Sequence, residues 1–146
     1  MAITSAICNS FKQEILEAEH NFTASTGNTF KIALYTSSAT LSASTTAYSS
    51  SNEITNSSGT AYTAGGASLT SVTPTLDSST AVCDFSDVSW TSASFTANGC
   101  LIYNDSHSTD AAVCAVAFGG DKTVSSGTFT IQFPAAAATT AIVRIA

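Results

Sequence analysis

From Ala67 to Ala146 the chain is a succession of short strand-like runs with turn residues between them and no helical crossover to separate them. GTFTIQF is the cleanest of these runs, with Phe129, Ile131 and Phe133 on one side and Thr128, Thr130 and Gln132 on the other. That period of two places one apolar face on a core and one polar face in water. CLIYN and AAVCAVAF are nearly continuous apolar runs around NDSHSTD, which predicts a central hairpin. SLTSVTPTL, TAVCDF and TAIVRI supply further strands, and Pro74 marks an edge or an end. In DVSWTSASFTA, Val88 and Trp90 share one parity while Ala93, Phe95 and Ala97 share the other. A change of phase inside one run predicts a bulge or a strand that crosses between sheets. Asn98-Gly99 reads as a turn pair, and Gly65-Gly66 and Gly119-Gly120 as turn glycines. Strands without crossovers pair antiparallel, so the expected fold is mainly β: an antiparallel sandwich of jelly-roll or immunoglobulin-like type with one N-terminal helix.

The polar half of this pattern is unusual. Only 10% of the 146 residues are charged, and about a third are Ser or Thr. A β-branched polar residue such as Thr suits a pleated surface. The disorder signature of charge, Pro and Gln is missing. At this length a single domain over residues 1–146 is expected, able to bury a core without staples.

Ahead of the β region, Ile7, Phe11, Ile15 and Leu16 recur at helical spacing, with Lys12, Gln13, Glu14, Glu17 and Glu19 between and after them. This predicts a helix over Ser5–Glu19 with Thr4 or Ser5 as N-cap. So short a helix is marginal alone, so its stripe must dock, on its own domain, on a sister chain or on a partner. FKIALY follows as a short strand, Phe30, Ile32 and Leu34 facing one way and Lys31, Ala33 and Tyr35 the other.

Between Ser37 and Gly66 lies a stretch with one acid, Glu53, no base, and only scattered apolar residues. A linker would need a folding unit on each side, and six residues of FKIALY cannot stand alone. The stretch is therefore expected to be a long surface loop of a sandwich spanning residues 28–146, with a possible short strand at Ala47–Ser49. Its want of charge favours contact with another protein, and Tyr48, Ile54 and Tyr62 are the candidate contact residues.

Several function classes find little support. The net charge is −6 with four scattered bases, so there is no electrostatic footprint for nucleic acid or an anionic membrane. No apolar run reaches the length of a membrane span. MAITSAICNSFKQEILEAEH lacks the pattern of a secretory signal, so synthesis in the cytoplasm is expected. Cys8, Cys83, Cys100 and Cys114 form no CxxC pair and are expected as buried free thiols. The sequons at Asn21, Asn56 and Asn104 are what so much Ser and Thr produces by chance. His20, at the expected helix end, and His107, in the NDSHSTD loop, stand apart from any nucleophile motif such as GxSxG. Asp77, Asp84 and Asp87 lack calcium-loop spacing, and Asp105, His107 and Asp110 form no closed ligand set. No catalytic residue, metal or cofactor is expected. Trp90 and Tyr103 suit either a sugar platform or, as is usual in strands, the core.

FKIALYTSSATL, GTAYTAGGASLT, VCDFSDVSWTSASFTANGCLIYND and FGGDKTVSSGTFTIQFP with AIVRIA occur in an order that resembles a family of small structural proteins of tailed bacteriophages. The resemblance spans nearly the whole chain and implies a virion protein that decorates or cements the outer capsid surface. It implies contact with the major capsid protein, a homo-oligomer, and by analogy a trimer at local three-fold points. The alternative is a tail or fibre component touching the host, which calls for exposed loop aromatics such as Tyr48 or Tyr62.

Overall fold

Backbone pairing divides the strands into two antiparallel sheets, as seen in a computed structural model that describes residues 1–146. In chain order the elements are β1 (Ala6–Ile7), α1 (Asn9–Leu16), β2 (Phe30–Tyr35), β3 (Ala67–Ser68), β4 (Ser71–Asp77), β5 (Thr80–Phe85), β6 (Val88–Asn104), β7 (Ala111–Ile131) and β8 (Val143–Ile145). The large sheet has the order β1-β7-β6-β2-β3 and the small one β4-β5-β8. The mainly β sandwich-like fold with one short N-terminal helix is thus present.

The long hairpin β6–β7 is the spine. Its register runs from Asn104 opposite Ala111 to Val88 opposite Ile131, with NDSHSTD at the connecting end as expected. Register shifts fall between Trp90 and Ala93 and again between Ala93 and Phe95, and Ser92 takes a left-handed φ of 51°. This bulge explains the change of phase: it turns Trp90, Ala93, Phe95 and Ala97 all into the core. Trp90 and Tyr103 are both core residues, not a platform.

The expected turn at Asn98-Gly99 is not there; both lie inside β6. Gly99 is needed for a close approach instead. A Cβ there would stand 2.6 Å from the Val116 carbonyl oxygen and 2.8 Å from the Ile3 side chain. Gly119 and Gly120, with φ of 76° and 140°, likewise bend β7 locally and do not divide it. Pro74 sits on the outer strand β4, where the register skips between Val72 and Thr75. That is where a residue without an N–H belongs.

The helix is shorter than its periodicity predicts. Ala6 and Ile7 are not helical: they pair with Ala115 and Cys114 along the outer edge of β7. A sheet edge offers unpaired donors and acceptors, and satisfying them outweighs the roughly one turn of helix surrendered at its start. The helix starts after Cys8, which gives no side-chain cap, and ends before Ala18, which has φ of 62°.

The Ser37–Gly66 stretch covers the outer face of the large sheet. Ile54 N–H donates to the Leu34 carbonyl, Tyr48 N–H to Asp110, and Ala112 N–H to Thr46. Ala47 bridges Ala111, close to the short strand expected there. With the loop on one face and the small sheet on the other, Ile32, Ala33, Leu34 and Tyr35 are all buried. Both parities of β2 therefore belong to the core, where the sequence suggests one apolar face.

Candidate docking groove

Where β1 closes one edge of the large sheet, β8 ends the small one, and α1 lies between them. Ile7, Phe11, Ile15 and Leu16 meet Val143 and Ile145 around an apolar groove of about 320 Å³. The four stripe residues thus come together, though in different roles. Ile7 is on strand β1 rather than on the helix. Phe11 is 3% exposed, its ring 4.9 Å from His20 and 6.0 Å from Phe22, so it fixes the helix to its own body. Ile15 is half-buried against the core. Leu16 is 88% exposed and stands at the rim, with Ile145 at 55%.

Lys12 and Arg144 complete the lining, and no carboxylate is among the lining residues. Lys12 Nζ donates to Asn9 Oδ1 at 3.2 Å and Arg144 Nη1 to the Ala138 carbonyl at 2.7 Å. Neither makes an ion pair; the pairs lie elsewhere, at His20–Glu14, Lys31–Asp105 and His107–Glu19. In a chain of net charge −6, two of the four bases flank this groove. The spacing signal in the sequence finds the helical half. Lys12 comes with that helix, whereas the β8 half and Arg144 are brought there only by the sheet order.

The other candidate contact residues turn inward, and this corrects the expectation of a contact loop. Ile54 and Tyr62 are buried and Tyr48 is half-buried. The reason is Glu53. Its carboxylate accepts from Tyr48 Oη at 2.6 Å, Tyr62 Oη at 2.7 Å and the Gly65 N–H at 2.8 Å. Tyr62 Oη in turn accepts from the Leu34 N–H, and Tyr103 Oη donates to the Gly65 carbonyl. Tyr35 Oη donates to Ser49. All four tyrosines of the chain serve to tie the loop to the sheet. Burial, reinforced by the neighbouring Glu53, holds the Tyr35, Tyr48 and Tyr62 phenols well above their ordinary range.

His20 lies beyond the helix end, not on it, and its side chain is fully buried. Asn104 Oδ1 accepts from the Ser106 N–H, which leaves Asn104 Nδ2 to donate to His20 Nδ1 at 3.1 Å. His20 Nε2–H then donates to Glu14 at 2.7 Å. Both ring nitrogens are occupied, so the imidazole is a tie between α1 and β6. His107 makes its own link to Glu19 at 3.3 Å.

All four cysteines are free thiols, three of them buried and Cys83 half-buried. Burial pushes Cys8 and Cys83 up to about 11 and Cys100 up to about 12, and Cys114 also lies well above the usual thiol range. At neutral pH they are protonated and act as small hydrophobes, not nucleophiles.

No protein-family profile, curated protein or solved structure matches this chain.

Proposed function

We propose that the chain is a structural protein of a tailed-phage virion, seated on the outer capsid surface as a decoration or cement protein. The observation that carries this reading is the apolar groove with its two unpaired bases, set on a small body whose long loop is tied down. The likeness of the sequence to phage structural proteins supplies the setting. A cement protein works by contact area repeated over many copies. Each large apolar side chain taken from water contributes roughly 1.5–3 kcal/mol, so Leu16 and Ile145 together give a useful contact. Repetition around a particle, and assembly as a trimer at three-fold points, multiplies that affinity. The partner is the major capsid protein. The host-contact alternative asked for outward Tyr48 and Tyr62, and their hydroxyls are bound to Glu53.

Immunogold labelling of virions with antibody against this chain tests the reading. Gold spread evenly over heads is the expected result. Gold confined to tails makes the host-contact reading primary. No gold on intact or solubilised particles overturns the virion assignment. Light scattering of the purified protein checks the trimer, and a monomer both free and after release from particles removes it.

A further inference from the structure

The geometry points to an extended, acidic segment of a partner protein as the occupant of the groove, added to the small sheet as a fourth strand beside β8. This inference rests on the docking reading and states what docks.

The backbone comes first. β8 has β5 as its sole strand partner, so the N–H and C=O groups on its other side are free. Val143, Arg144 and Ile145 all line the groove. Consecutive residues of a strand point to opposite faces, so lining by both parities means that the groove runs along the edge of β8. A peptide lying there is held by main-chain hydrogen bonds, with side-chain pockets setting the specificity.

The other edge of the same sheet does not offer this. β4 carries Pro74 and a break in register, which spoil a ladder. β8 has neither.

The register then fixes the pattern of the partner. Val143 lies opposite Cys83 of β5, on the face that packs into the core, and Ile145 shares that face. Partner residues opposite Val143 and Ile145 would send their side chains inward, onto Ile15 and Leu16. The partner residue opposite Arg144 would point to the other face, the one Arg144 shares with Val82, beside the guanidinium. An acid fits there, because cross-strand neighbours of opposite charge attract and the chain supplies no acid of its own at the groove. Lys12 on the helix wall favours a second acid. The segment is therefore apolar–acidic–apolar, in extended form.

The test uses the full chain and a fluorescein-labelled, capped nine-residue peptide with valine at odd and glutamate at even positions, followed by anisotropy. Saturable binding is expected, at least tenfold weaker for Arg144→Glu and for Leu16→Asp. Arg144→Glu should instead prefer the same peptide with lysine in place of glutamate, a rescue that a misfolded variant cannot give. Alternate backbone N-methylation of the peptide should abolish binding. No saturation up to millimolar peptide overturns the inference. So does binding that survives N-methylation, or indifference to the charge swap. A doubled mass in light scattering that Arg144→Glu returns to a single chain also overturns it, because a second copy then fills the groove. Protein that labels phage heads yet ignores the peptide sinks this inference alone. Protein that binds the peptide yet labels no particle sinks the virion reading alone.

Discussion

At the scale of the residue, Glu53 is the most informative position. It is the only acid in the Ser37–Gly66 stretch and it is 9% exposed, an arrangement tolerated only because three donors meet it. Glu53→Gln removes a charge-assisted acceptor and sets an amide N–H₂ against hydroxyl donors. It should lower stability by about 2–3 kcal/mol in urea titration and loosen the loop in hydrogen exchange. Ser10 is the opposite case. Its hydroxyl is buried without a hydrogen-bond partner on α1, so Ser10→Ala should be neutral or stabilise by up to about 1 kcal/mol. The thiols give a pH dependence. Folded Cys8 and Cys83 keep their protons to about 11 and Cys100 to about 12, whereas the unfolded chain releases them near the ordinary value of 9.0. Above that ordinary value the unfolded state binds fewer protons than the folded one, so stability falls as pH rises. It is intact below about pH 9 and lost towards pH 12, with fully buried Cys100 contributing up to about 1.4 kcal/mol per pH unit. Denaturant midpoints from pH 7 to 11 check the sign: a rise instead of a fall would refute it.

At the scale of the element, helix α1 divides its work between two residues. Phe11 packs on Phe22 and His20, so Phe11→Ala should cost about 3–5 kcal/mol and lower the melting temperature of the isolated protein. Leu16→Asp, at a position 88% exposed, should leave melting unchanged and reduce attachment to particles in co-sedimentation. Equal loss of melting temperature from both substitutions would contradict this division. Strand β6 offers a second test. Gly99→Ala forces a methyl against the Val116 carbonyl and Ile3, so it should destabilise by about 1–3 kcal/mol. A turn at this position, as the Asn-Gly pair suggests, would have tolerated it in open space.

At the scale of the whole molecule, the loop, both sheets and the helix share one cluster of buried side chains that includes Phe11, Tyr62, Phe85 and Val143. Far-ultraviolet dichroism and the fluorescence of buried Trp90 should therefore report one coincident unfolding transition. Much of this was legible from the chain. Alternation in GTFTIQF and the apolar runs around NDSHSTD fix the strands and their hairpin, because side-chain parity is a local property. The phase change around Ser92 announces the bulge for the same reason. Other features were decided by partners distant in sequence. The free edge of β7 claims Ala6 and Ile7 from the helix, and the approach of Ile3 makes Gly99 a strand residue. Glu53 binds Tyr48 and Tyr62 from within the loop while Tyr35 and Tyr103 of the sheet bond its backbone at Ser49 and Gly65, which turns a loop that reads as a contact surface into a covering layer. The groove shows both origins. Its helical half, Lys12 included, is local in the sequence, whereas β8 with Arg144 meets it only because strand order places one sheet's last strand beside the other's first. Periodicity fixes which way a side chain points; only the packed chain decides what it meets.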